Sequence, residues 1–148
     1  MSIFFTEKEK RLEFSVEGYE FEYTPDEITD TGTMWDANWL TVRIDYTENG
    51  QSKTFTDSCL QTFELQSLTE SFESVLIGVQ NEFVEDFTEE NLHFSVAAEN
   101  GAYKVCVRYS DYGEKASVSQ TMTLDELRET NNKLKELSAR FPVKKMRG

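Results

Sequence analysis

Hydrophobic and polar positions alternate through the first part of the chain. Leu12, Phe14 and Val16 recur at period two between charged or small residues, the pattern of a half-buried strand. Gly18 interrupts the pattern, and Tyr19, Phe21 and Tyr23 resume it. This predicts a hairpin with Glu17, Glu20 and Glu22 pointing outward. The turn-rich segment from Pro25 to Gly32 reads as a loop. From Trp39 to Tyr46 the alternation is strongest, with Leu40, Val42, Ile44 and Tyr46 on one face. Asn49-Gly50 follows, a two-residue hairpin signal, and Ser52 to Thr56 returns antiparallel.

The period then changes. Leu68, Phe72, Val75, Leu76 and Val79 form one helical stripe, predicting a helix over 67–80 opened by a capping box, Ser67 to Glu70. Period two resumes at Phe83, at Leu92, Phe94 and Val96, and at Tyr103, Val105, Val107 and Tyr109. Asn100-Gly101 supplies a second hairpin turn, and Val118, Gln120 and Met122 suit a last strand. A second capping box, Thr123 to Glu126, opens a helix over 123–141 with Leu127, Leu134, Leu137 and Phe141 on one face, and Pro142 stops it.

No internal repeat of fixed period and no linker appear, so residues 1–148 form one domain with a basic tail from about 142. Short turns between most strands predict an α+β fold: a mainly antiparallel sheet with two principal helices packed on one face. Its core should hold Leu40, Val42, Ile44, Phe72, Leu76, Phe94, Val105, Val107, Leu127 and Leu134.

Charge changes the picture most. Twenty-eight acidic residues against 15 basic ones leave a net charge of −13 over 148 residues. That excess excludes an ordinary nucleic-acid binder and adhesion to anionic membranes, because both need a basic face. A hydrophobic content of 38% with 13% aromatics is too apolar for a disordered acidic tail. The N-terminus carries no charged segment ahead of a long apolar run, and no apolar run is long enough to span a bilayer; a cytoplasmic protein is expected. Cys59 and Cys106 sit in apolar stretches and read as free core thiols.

Catalytic chemistry is sparse. The one histidine, His93, falls out of phase with Leu92 and Phe94 and so faces away from the core side of its strand. No nucleophile elbow, metal-binding, phosphate-binding or dinucleotide motif occurs. The run from Asp26 to Gly32 lacks the ligand pattern of a calcium loop. Adjacent carboxylates such as Asp26/Glu27, Glu85/Asp86 and Glu89/Glu90 follow from the abundance of acids. The chain therefore reads as no enzyme, with no cofactor and no metal.

The acids are unevenly placed. Residues 1–100 hold 22 acids against 5 bases, a net of −17, whereas residues 101–148 carry +4. Stacked on one sheet face, Glu13, Glu17, Glu20, Glu22, Asp45 and Glu48 would repel. Such a surface serves solubility, or it attracts a basic partner and speeds its capture. Trp35 and Trp39 bracket Asp36 and Asn38 just before the strongest strand. Two readings are open there. Asp36 or Asn38 satisfies a turn while the tryptophans pack inward, or an aromatic anchors a binding surface.

The run Trp35-Asp36-Ala37-Asn38-Trp39-Leu40-Thr41-Val42 resembles the WapI-type bacterial immunity proteins. So do Phe55-Thr56-Asp57-Ser58-Cys59-Leu60, Phe63-Glu64-Leu65, Phe87 to Phe94 and the close at Arg140-Phe141-Pro142. The resemblance covers roughly residues 11–142 and carries over no catalytic residue. It implies cytoplasmic neutralisation of a contact-delivered toxin whose tip attacks tRNA.

These observations point to an immunity protein that neutralises a basic toxin, a nuclease, by direct binding. The candidate partner-binding residues are Trp35, Asp36, Asn38, Glu17, Glu20, Glu22, Glu85 and Asp86. The alternative is a structural or regulatory domain, homodimeric or with an unknown partner. An enzyme using paired carboxylates ranks below both.

Overall fold

Most alternating segments become strands, and both changes to a helical period become helices. The computed structural model describes residues 1–146. The strands are β1 (Ser2–Glu7), β2 (Lys10–Tyr19), β3 (Trp39–Glu48), β4 (Gln51–Gln61), β5 (Glu82–Asp86), β6 (Leu92–Glu99), β7 (Ala102–Asp111) and β8 (Glu114–Met122). The helices are α1 (Thr31–Ala37), α2 (Thr62–Leu76) and α3 (Leu124–Arg140). The expected α+β class and antiparallel pairing are present. The strands divide into two four-stranded sheets, β1-β2-β3-β4 and β5-β6-β7-β8. Each sheet is a meander followed by a long helix, so four strands and a helix occur twice in the same order, with α1 inserted between β2 and β3.

The hairpin turns are where the sequence placed them. Asn49 and Gly50 have φ of 50° and 81°, and Asn100 and Gly101 have 50° and 79°. Positive φ at both central residues matches the twist of antiparallel strands, and Asn-Gly tolerates it best.

Four local readings change. β2 runs through Gly18 with a bulge between Val16 and Gly18 and ends at Tyr19, so Phe21 and Tyr23 lie in a loop rather than in a returning strand. The Pro25–Gly32 loop contains a 3₁₀ turn and the start of α1, which Asp30 caps by accepting from the Thr33 N–H at 2.8 Å. Helix α2 begins at Thr62, not Ser67. The carboxylate of Glu64 accepts from the N–H of Gln61 at 2.9 Å and from that of Thr88 at 2.7 Å, fixing the helix start to the loop after β5. The helix ends at Leu76, where Gly78 at φ 79° lets the Val79 N–H reach the Ser74 carbonyl and the Gly78 N–H reach that of Val75. Val79 is left 74% exposed, off the predicted stripe. Helix α3 opens as expected: Thr123 Oγ1 accepts from the Glu126 N–H at 3.2 Å and Glu126 accepts from the Thr123 N–H at 3.0 Å.

The core lies between the inner sheet faces and under α2 and α3. Phe94 of β6 meets Phe5 and Phe14 of the other sheet edge-on, at ring separations of 6.0 and 5.5 Å. Nine of the ten expected core residues are buried, and Leu76, in the last turn of α2, is half-buried. Along one side β1 lies beside β8: the Thr6 N–H donates to Gln120 Oε1 at 2.9 Å and the Ser119 N–H to Glu7 Oε1 at 3.0 Å. Both cysteines are free. Cys59 is buried, and burial pushes its thiol well above the usual range. Cys106 differs from the expectation. It alternates with the buried Val105 and Val107, so its half-buried thiol is on the outer face, 3.3 Å from Ser119 Oγ.

Candidate functional site

The acids of β2 and β3 are not a bare repulsive stack. Glu13 stands directly opposite Asp45, and Ser15 opposite Arg43. Arg43 Nε donates to Asp45 Oδ2 at 3.0 Å, and the same guanidinium lies 3.8 Å from Glu17. Thr54 donates to Asp45 at 2.7 Å, and Ser2 to Glu13 at 2.8 Å. Partial burial opposes ionisation of Asp45, but the hydrogen bonds from Arg43 and Thr54 outweigh it and hold the carboxyl below its usual range. The expected repulsion is thus answered by one arginine paired with two carboxylates, Asp45 and Glu17. Glu17 belongs to this balanced face.

The loop between β2 and β3 is different. From residue 20 to 38 it has six carboxylates and no Lys or Arg in sequence, and Lys144 from the C-terminal segment reaches its base, with the ammonium 3.5 Å from the Tyr23 carbonyl. Glu20, Glu22 and Asp36 are exposed there, and the Glu20 N–H donates to the Trp39 carbonyl, bringing the loop against the start of β3. Glu27 accepts from the N–H and hydroxyl of Thr24, each at 2.9 Å, and Asp30 caps α1. Those hydrogen bonds hold both carboxyls below the usual carboxylate range.

Trp35 projects from α1 and is 40% exposed. Its ring meets Trp39 edge-on and Phe63 at a tilt, each with centroids 5.7 Å apart. Asn38, the next candidate, is buried. Its Nδ2 donates to the carbonyls of Met34 at 2.7 Å and Lys144 at 2.8 Å, while its Oδ1 accepts from Thr62 Oγ1 at 2.6 Å and from the Lys144 N–H at 2.7 Å. One amide therefore joins α1, α2 and the C-terminal segment. The tail expected from about 142 is held: Tyr19 donates to the Pro142 carbonyl at 2.6 Å, and the Lys144 ammonium sits 3.8 Å over the Tyr19 ring. Asn38 positions the surface that Trp35 presents and does not itself face outward.

Glu85 and Asp86 are not part of that surface. As successive strand residues they point to opposite sides of their sheet. Glu85 turns inward and accepts from Ser71 Oγ at 2.5 Å, about 12 Å along α2 from Phe63. Asp86 is exposed beside His93, which lies on the outer face as its phase predicts.

Two concavities escaped the sequence reading. One, of about 660 Å³, lies between the start of α2, the end of α3 and the C-terminal segment. Phe63, Phe141 and Val143 line it, with Lys135 and Lys145 at its rim. Its residues come from two stretches far apart in the chain, 62–69 and 135–145, so no local signal marks it. The other, of about 640 Å³, opens between the β5–β6 loop and the β7–β8 turn and is lined by Glu89, Glu90 and Asp111. Tyr112 stands fully exposed at that turn with φ 46°, followed by Gly113 at 83°. The Tyr-Gly pair is a turn signal of the Asn-Gly kind. Among the described residues no group of His, Cys, Asp and Glu is placed to hold a metal ion, and no helix is long and apolar enough to cross a membrane.

Two solved structures align with this chain at low sequence identity. The plant transcriptional regulator PBF-2 is 11% identical, with a TM-score of 0.48 over 95% of this chain and 81% of that one. WHY3 from Arabidopsis thaliana is 10% identical, with a TM-score of 0.48 over 95% and 88%. No curated protein matches the chain. The model of the immunity protein WapI-like family matches residues 3–142, nearly the whole length. The chain belongs to the WapI-like immunity protein family.

Proposed function

We propose that this chain is a cytoplasmic, non-enzymatic immunity protein that neutralises a basic toxin, a nuclease, by binding it directly and covering its active site. The observation that carries the reading is the loop before β3. Its six carboxylates between residues 20 and 38 have no Lys or Arg among them in sequence, only Lys144 among the described residues reaches its base, and it lies beside an exposed tryptophan. Like charges held together draw in a cationic partner, and a tryptophan at the centre of an interface supplies short-range affinity. Glu20, Glu22, Asp36 and Trp35 carry these roles, with Asn38 holding the scaffold beneath them.

The test takes the product of the gene next to the one encoding this chain and purifies its C-terminal domain as the candidate toxin. Association should slow steeply as salt rises, because screening shortens to about 8 Å at physiological ionic strength. Reversing Glu20, Glu22 and Asp36 to Lys should lower the on-rate, and Trp35→Ala should raise the off-rate. Binding indifferent to salt and to charge reversal would overturn the electrostatic part. A toxin domain that does not bind at all would overturn the whole reading.

A further inference from the structure

The groove beside Phe63 carries chemistry that an acidic capture surface does not explain. Its floor is apolar: Phe63 is 40% exposed, and Phe141 and Val143 are half-buried. Phe63 continues into the exposed Trp35 ring, so the groove and the tryptophan form one surface. Its rim is cationic in a chain of net charge −13. Lys135 is paired with Glu73 at 2.8 Å, whereas Lys145 makes no ion pair among the described residues. One flank of the surface is thus the acidic loop, and the other is a lysine rim over an aromatic floor.

We infer that this groove receives a segment of the toxin bearing a large apolar side chain next to a carboxylate. The inference rests on the reading above and adds the chemistry of the contact. The apolar side chain fills the floor against Phe63, and the carboxylate meets Lys145 at the rim. The partner is basic overall, but its docking segment is acidic at this point. Charge complementarity selects this occupant. A cationic side chain would be repelled by Lys145, the rim lysine that no carboxylate pairs among the described residues, whereas a carboxylate beside an apolar side chain satisfies both rim and floor. An aromatic floor beside a polar rim is the arrangement in which a few buried contacts dominate affinity. The two flanks divide the work: the loop sets the rate of encounter, and the groove sets the lifetime of the complex.

The experiment measures association and dissociation of the full chain with that same purified candidate toxin domain. Three variants are compared: Phe63→Ala, Lys145→Glu, and Ala139→Glu, which places a carboxylate in the groove from an exposed helical position. Far-ultraviolet dichroism and thermal melting check that each is folded. Ala139→Glu removes no contact, so it serves if Phe63→Ala does not fold. Dissociation should quicken by about tenfold for Phe63→Ala and Ala139→Glu and severalfold for Lys145→Glu, with the salt dependence of association kept. In the toxin, replacing the carboxylate that pairs with Lys145 by Lys should restore binding to Lys145→Glu.

Wild-type dissociation rates in all three variants, with the toxin still bound, overturn the groove and leave the immunity reading intact. A wild-type chain that binds no toxin fails at the earlier step and takes the inference with it. A concentration-dependent dimer abolished by Ala139→Glu would assign the groove to a second copy and overturn the proposal.

Discussion

Replacing Asn38 by Asp changes one group and should cost as much as removing the side chain. The amide makes four hydrogen bonds from a 2% exposed position, two as donor and two as acceptor. Alanine loses all four and leaves the Thr62 hydroxyl, the Lys144 N–H and two carbonyls short of partners. At a net ~1 kcal/mol per bond, offset by some relaxation of the exposed tail, the cost is roughly 3 kcal/mol. In the Asp variant both acceptor bonds survive. The lost NH₂ is replaced by a second carboxylate oxygen facing only the carbonyls of Met34 and Lys144, and burying a charge with one oxygen set against acceptors is expensive. The loss should equal or exceed that of Ala at neutral pH.

The two variants separate on acidification. Burial raises the folded pKa of the new carboxyl above its unfolded value near 3.9. The folded state then holds the proton more tightly, so the penalty is full above the folded pKa and shrinks as pH falls through it. Asn38→Ala should show no such recovery. Urea unfolding followed by dichroism at pH 7 and pH 5 measures this, and a 3 kcal/mol loss corresponds to about 10 °C in melting temperature for a chain this long. Trypsin should cut at Lys144 and Lys145 sooner in both variants, because the clamp on the tail is gone. An Asp variant within about 0.5 kcal/mol of the parent at pH 7, with unchanged cleavage, would refute the assignment of these bonds.

Phe94→Ala should destabilise the protein by about 4 kcal/mol, since a fully buried ring meeting Phe5, Phe14 and Phe87 is lost; chemical denaturation giving under about 1 kcal/mol would contradict that packing. Thr123→Ala should cost about 1 kcal/mol by uncapping α3, whereas Ser67→Ala, an exposed position inside α2, should be neutral or gain a few tenths. Equal losses in melting experiments would restore Ser67 as the helix start. Asp30 and Glu27 have depressed pKa values, so the stability they contribute is present above the ordinary carboxylate range and is lost as pH falls below it. Asp30→Asn should therefore flatten the acid limb of a pH–stability curve, and an unchanged limb would show that the α1 cap contributes nothing.

Most strands with one buried face were legible; the exception is β1, where the exposed Phe4 between the buried Ile3 and Phe5 hides the alternation. Leu40, Val42, Ile44 and Tyr46 all face the core, and a one-residue slip would have exposed them together. Helix α3 was legible because Thr123 is an ordinary cap. Helix α2 was misplaced because its start depends on a Glu64 carboxylate shared with Thr88, 24 residues away. The division into two sheets depends on which strands stack and which pair, and Phe5, Phe14 and Phe94 carry no mark of that choice. The candidate surface was half legible. Trp35 and the cation-free run can be read from order along the chain, but Arg43 neutralising Glu17 and Asp45 requires the register. The opposite facing of Glu85 and Asp86 was available in principle, from strand alternation alone.

The repeated order of four strands and a helix has a consequence for assembly. The two halves are joined by residues 77–81, five positions that include Gly78 in its left-handed turn. Helix against helix, β1 beside β8 and the Phe5–Phe94 packing all lie between the halves rather than within one. A second molecule's half offers the same partners. If the connector opens during refolding at high concentration, β1–α2 of one molecule can dock on β5–α3 of another and recreate the core as a domain-swapped dimer. The Gly78 turn reverses the chain within one molecule and so biases the choice toward the closed monomer. Replacing it by a β-branched residue that resists positive φ would favour exchange.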